Sequence, residues 1–158
     1  MNKVTMLIGN IGSGKSTWLD KNTTGTVIIS KDNIRKDFAR CINKDYLFDD
    51  AIEPYVYNIV TNYFKGVLHL NYNHVVIDET NITCETRSPY IIVAKEFNYI
   101  VNAVVFPDLG EEEHIRRRMI RNHDDTISRD KWVEVYRWKK ERYEEPTKTE
   151  GFDSIIYL

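Results

Sequence analysis

Short apolar runs alternate along this chain with longer stretches whose apolar residues recur every three or four positions. Val4-Thr5-Met6-Leu7-Ile8 is almost wholly apolar and stops at Gly9, as a strand buried on both faces does. Residues 26–29, Val75-Val76-Ile77, residues 100–106 (closed by Pro107) and residues 154–158 read as further strands. Between them, residues 53–70 carry Val56, Ile59, Val60, Tyr63, Phe64, Val67 and Leu68 at the spacing of one helix face. Residues 85–98 read as a helix with its apolar positions in mixed order, and residues 111–121 and 129–144 as two more. Strands separated by helices predict an α/β fold with a mainly parallel central sheet covered on both faces. Ligands in such folds sit beyond the carboxyl ends of the strands.

Composition narrows the class. The chain has 158 residues, 42% hydrophobic and 29% charged, which suits one globular domain over 1–158. No repeat, low-complexity tract or linker divides it. A net charge of −2 leaves any nucleic-acid contact to a local basic patch. Cys41 and Cys84 make neither a disulfide framework nor a zinc pattern and read as reduced thiols. His69, His74, His114 and His123 show no ligand spacing and read as surface or boundary residues. No secretory signal and no run near the ~20 apolar residues of a membrane span is visible, so a cytoplasmic protein is expected.

The chemistry begins where the first strand ends. Gly9-Asn10-Ile11-Gly12-Ser13-Gly14-Lys15-Ser16 fits G-x-x-x-x-G-K-[ST], the phosphate-binding P-loop. Its glycines let the backbone curl so that several N–H groups face one anion, with Ser13 and Thr17 in the same stretch. Lys15 would reach the β- and γ-phosphates, Ser16 would ligate magnesium, and the helix that follows points its positive end at the phosphates. ATP with magnesium is the expected ligand. A metal-holding acid should end a neighbouring strand; Asp78 does, with Glu79 beside it, although a strand-end carboxylate facing solvent is common.

Phosphoryl transfer also needs a carboxylate for the acceptor's proton. Asp32 lies just past the second strand and Arg35 one helical turn later, as a base and a clamp for a substrate phosphate would. Asp32 as the N-cap of the next helix is an equal reading of that spacing. Arg116, Arg117, Arg118 and Arg121 crowd one helix. With Ile115 and Met119 on its buried face, Arg117 and Arg121 point away together and could close on a triphosphate. A solvated basic face paired with Glu111, Glu112 and Glu113 is the plainer reading, and the P-loop tips the balance toward a lid.

Together these segments resemble the 5′-polynucleotide kinase family over nearly the whole chain. Gly12 to Trp18 is similar to that family's P-loop and helix start, Ser30-Lys31-Asp32-Asn33-Ile34-Arg35 to its acid-plus-arginine segment, and Asp78-Glu79-Thr80-Asn81 to its D-x-T-N-like segment. Tyr143-Glu144-Glu145-Pro146-Thr147 through Glu150-Gly151-Phe152 resembles the close of the animal-type domain. The resemblance implies a three-layer P-loop fold with a helical arginine-bearing lid. It implies Asp32 as general base on a 5′-hydroxyl, Arg35 on the phosphate next to the first nucleotide, and Arg117 and Arg121 in the lid. It implies substrate contacts from Asp78, Glu79, Thr80 and Asn81, and from the loop at Ile127, where Ser128 replaces the family's proline. A kinase of nucleic-acid 5′-hydroxyl ends is therefore expected, DNA or RNA being left open with oligomeric state. A small-molecule or nucleoside kinase of the zeta-toxin kind is the alternative, and a nucleotide-dependent switch a third.

Overall fold

A computed structural model describes residues 1–44, 48–120 and 127–158. Among the described residues five strands form one sheet: β1 (Lys3–Ile8), β2 (Val27–Ile29), β3 (His74–Ile77), β4 (Ile100–Val105) and β5 (Ser154–Tyr157). Their order is β2-β3-β1-β4-β5, and every adjacent pair is parallel. The sheet is thus more uniform than the mainly parallel one expected. Among the described residues six α-helices accompany it, α1 (Lys15–Asn22), α2 (Lys31–Arg40), α3 (Glu53–His69), α4 (Cys84–Glu96), α5 (Glu111–Ile120) and α6 (Arg129–Glu141), with a short 3-10 helix at Lys148–Glu150.

Strand residues alternate between two apolar layers. Val4, Met6 and Ile8 of β1 pack with Ile29, Val75, Ile77, Val101 and Ala103 against α3 and α4. Leu7 faces the other way with Val76 and Val104, under Leu19 of α1 and Phe106. Both faces of the central strands are therefore covered, as their nearly continuous apolar runs require. A third cluster joins Ile115 of α5 to Trp132 and Tyr136 of α6, with Ile11 of the glycine-rich loop against it. No described helix is long and apolar enough to cross a membrane.

Several element ends differ from the sequence expectation for visible reasons. Thr26 belongs to a turn, its N–H and hydroxyl both donating to the carbonyl of Thr23, so β2 starts at Val27. The helix expected over 129–144 stops at Glu141 because the Glu144 N–H leaves to donate to Ile82. α4 starts at Cys84, behind a Thr83 cap whose hydroxyl accepts from the Thr86 N–H. Its buried face is Arg87, Tyr90, Ile91 and Ala94, a regular helical spacing whose first member is charged. That charge is why the apolar order looked mixed.

Arg87 is 0% exposed. Its Nε and Nη2 donate to Glu150 at 2.7 and 2.9 Å, and Nη1 donates to the carbonyls of Asn81 and Glu144. One guanidinium thereby ties α4 to the segment after β3 and to the turn before β5. Removing it strands the Glu150 carboxylate in a nearly buried position. Arg87→Met is expected to cost about 3–5 kcal/mol of stability in urea unfolding, and adding Glu150→Gln to recover part of it.

Candidate functional site

The phosphate loop joins β1 to α1 at the carboxyl edge of the sheet. Gly12 and Gly14 take φ of 68° and 109°, which L side chains resist. A Cβ on Gly12 would sit 2.5 Å from the carbonyl oxygen of His114. Among the described residues, three hydrogen bonds hold the loop from outside. Gly9 N–H donates to Thr80, Asn10 Nδ2 donates to the Tyr136 carbonyl at 3.0 Å, and His114 Nδ1 lies 2.6 Å from the Ile11 carbonyl. The Leu109 N–H donates to His114 Nε2, which leaves Nδ1 to donate to the Ile11 carbonyl. His114 is fully buried and not the surface or boundary residue that its lack of ligand spacing suggested.

No side chain caps α1 at Gly14, leaving its first-turn N–H groups to an anion. Lys15 Nζ donates to the carbonyls of Gly9 and Asn10, each at 2.8 Å, and to Ser13 Oγ at 3.3 Å. Burial lowers its pKa to about 8, against the opposing pull of Asp78, Asp32 and Glu79. Ser16 and Thr17 are exposed on the same first turn. The glycine cradle, the uncapped helix and the lysine fit a polyphosphate, and the hard oxygens of Ser16 and Asp78 fit magnesium. Beside the loop, Ser13, Gly14, Thr17, Trp18, Phe106 and Arg117 line a hollow of about 340 Å³. A larger hollow of about 460 Å³ between α5 and α6 shares no loop residue.

The two acids after β3 differ in surroundings. Burial raises the Asp78 carboxyl, and Lys15 is the strongest charge opposing that rise. Glu79 accepts the Lys31 N–H at 2.7 Å, at the start of α2. Its enclosure pushes its pKa up to about 7, with Lys31 pulling the other way. The N-cap of α2 is Ser30, so Asp32 is not the cap. Asp32 is 54% exposed and 2.6 Å from Arg35 Nη1, while Arg35, 12% exposed, also grips Glu53 of α3 through Nε and Nη2.

Of the other expected residues, Asn81 and Ile127 lie apart from this cluster and Arg117 lies beside it. Asn81 is buried and donates its amide to the Leu7 carbonyl at 2.8 Å, a strut between strands. Ile127 packs against the Ile115–Trp132–Tyr136 cluster. Arg117 stands over the loop, with Nη1 3.9 Å from where a Gly14 Cβ would be, and its Nε donates to Glu113 at 2.5 Å. Arg116 shares that carboxylate, and Arg118 lies 4.0 Å over the Trp132 ring. Met119, expected on the buried face of α5, is 38% exposed, because His114 and Ile115 do the packing. Arg121 lies outside the described residues. Lys139 was not foreseen: from α6 it reaches Thr80 Oγ1 at 3.1 Å, and burial lowers its pKa. A lysine in a charged helix carries no signal in sequence; only the packing of α6 across the end of β3 brings it here.

A family model described as "AAA domain" matches residues 4–146. Among solved structures, the chain is 24% identical to a chain of the Pnkp1/Rnl/Hen1 RNA repair complex, with 90% of this chain and 46% of that one covered and a TM-score of 0.66. It spans less than half of that relative. It is 17% identical to Chaetomium thermophilum Kti12, solved with ADP-AlF3, covering 98% of this chain and 88% of that one at a TM-score of 0.63. It is 16% identical to the Mycobacterium tuberculosis APS kinase CysC, solved with AMPPNP and APS, covering 99% and 88% at a TM-score of 0.51.

The enclosure of Glu79 sets a pH dependence. Its carboxyl binds a proton more tightly in the folded chain, so its contribution to stability falls as pH rises from about 4.5 to about 7. Glu79→Gln keeps an acceptor for Lys31 and removes the buried charge. Thermal unfolding is expected to show a gain on the order of 2 kcal/mol at pH 8 and almost none at pH 4.5; equal effects at both would mean the group is not responsible.

Proposed function

The chain belongs to the AAA domain family and has a P-loop kinase fold, and we propose that it transfers the γ-phosphoryl group of ATP to the 5′-hydroxyl end of a nucleic acid. The observation that carries this reading is the Asp32–Arg35 pair, an acid beside a guanidinium at the start of α2, just beyond the strand next but one to β1. A hydroxyl beside a phosphodiester, the chemistry of a nucleic-acid end, fits such a pair. The likeness to a chain of an RNA repair complex supports the same acceptor, and the likeness to an APS kinase supports a small-molecule one. Residues 1–158 are taken as one kinase domain.

Bound ATP supplies the phosphoryl group, and bound magnesium supplies charge to its oxygens. Lys15 exchanges the carbonyls of Gly9 and Asn10 for β- and γ-phosphate oxygens, and Gly9, Gly12, Ser13, Gly14 and Thr17 shape the cradle. Ser16 and Asp78 would hold the magnesium ion, Asp78 being the better placed of the two acids because Glu79 is engaged with α2. Asp32 takes the proton of the attacking hydroxyl as its oxygen bonds to phosphorus and the β–γ bridge breaks. Arg35 holds the neighbouring phosphate, and Arg117, with Arg121, neutralises charge spreading over the transferring group.

Transfer of labelled phosphate tests this. A 5′-hydroxyl oligonucleotide is expected to take label and a 5′-phosphorylated one none. Label on nucleosides or sugars alone would point to a small-molecule kinase, and nucleotide binding without transfer to a switch. Asp32→Ala is expected to retain ATP binding while slowing transfer about 100-fold or more; near-normal turnover would remove Asp32 as base.

A further inference from the structure

The cations of α6 fall into two groups. Arg129 pairs with Glu112, Lys131 with Glu134, Arg137 with Glu111 and Lys140 with Asp108. Lys139 and Arg142, the residue closing the helix, have no carboxylate in ion-pair contact among the described residues. These two flank Trp138, which is 51% exposed. The Arg142 guanidinium carbon lies 4.3 Å from the centre of the Trp138 ring, and Lys139 Nζ lies 5.6 Å from it. The same Lys139 Nζ donates to Thr80 Oγ1 at the end of β3, and the charges acting on it include Glu79, Asp32 and Arg35.

A continuous surface therefore runs outward from the acceptor side: Thr80, Lys139, Trp138, Arg142. We propose that Lys139, Trp138 and Arg142 form a track for single-stranded nucleic acid leaving the acceptor site, with a base stacked on Trp138 and phosphates on the two cations. An exposed indole between two cations held by no acid offers what a strand of alternating bases and phosphates needs. A small acceptor would end at Asp32 and Arg35 and leave the track unused. The inference rests on the kinase reading for its starting point, the acceptor site, but its binding test needs no turnover.

The test is fluorescence anisotropy of a 3′-labelled, 5′-hydroxyl hexanucleotide with the full chain and no nucleotide. Trp138→Ala is expected to weaken binding about tenfold, and Trp138→Phe to restore most of it. Arg142→Ala is expected to flatten the slope of log K against log salt by about 0.7. A base-free polyphosphate should lose little affinity in Trp138→Ala. The track is overturned if the hexamer does not bind the wild-type chain, if Trp138→Ala binds it equally well, or if the polyphosphate is lost to the same degree as the hexamer. Labelled transfer run in parallel separates the two ideas. Trp138-dependent binding without transfer to any 5′-hydroxyl end keeps the track and removes the kinase reading. Transfer with binding indifferent to Trp138 does the reverse.

Discussion

A loop bent to gather N–H groups around an anion cannot hold itself, because its tight glycine turns leave few side chains to brace it. His114 braces this one from outside. Its ring spends one nitrogen on the Ile11 carbonyl and the other on the Leu109 N–H. Its own carbonyl sits so close to Gly12 that no side chain fits there. The conformation of the loop and the position of α5 are thus one constraint, and Asn10, tied to the Tyr136 carbonyl, brings α6 into it. The arginines of α5 and the cations of α6 are placed around the site through that connection.

The charges of the site are balanced by enclosure. Burial pushes Lys15 toward its neutral form against the pull of Asp78, Asp32 and Glu79, and pushes Asp78 and Glu79 toward theirs, against Lys15 for the first and Lys31 for the second. Such a set gains much from an incoming polyanion and cation, which restore the charge that burial opposes. Arg35 is different: two carboxylates already satisfy it. A substrate phosphate would have to compete with Glu53, so its affinity would depend on how α3 sits.

The strands and the phosphate loop were readable because both are local patterns: short apolar runs, and glycines at fixed offsets before a lysine. The acid and arginine after β2 were readable as a pair for the same reason, whereas the arginine's bond to Glu53 was not. Contacts between distant segments left no such mark. Arg87 hid within α4 because a charged residue on an apolar face looks like a break in the pattern until Glu150 is seen against it. His114 and Lys139 look like ordinary surface residues until α5 and α6 are packed across the sheet's edge. The D-x-T-N-like segment shows the converse. Its Asn81 stands out in sequence beside the two acids, yet the side chain is spent on holding β1 and β3 together at their ends.

The strand order carries a consequence for how the chain is made. β1 lies at the centre of the sheet, between β3 and β4, and is not paired with β2. Its first partner begins at His74. At about 5–20 residues per second of synthesis, the apolar run from Val4 to Ile8 waits for seconds without its neighbour. The run that leads into the phosphate loop therefore needs protection during that interval, which is part of what the topology demands.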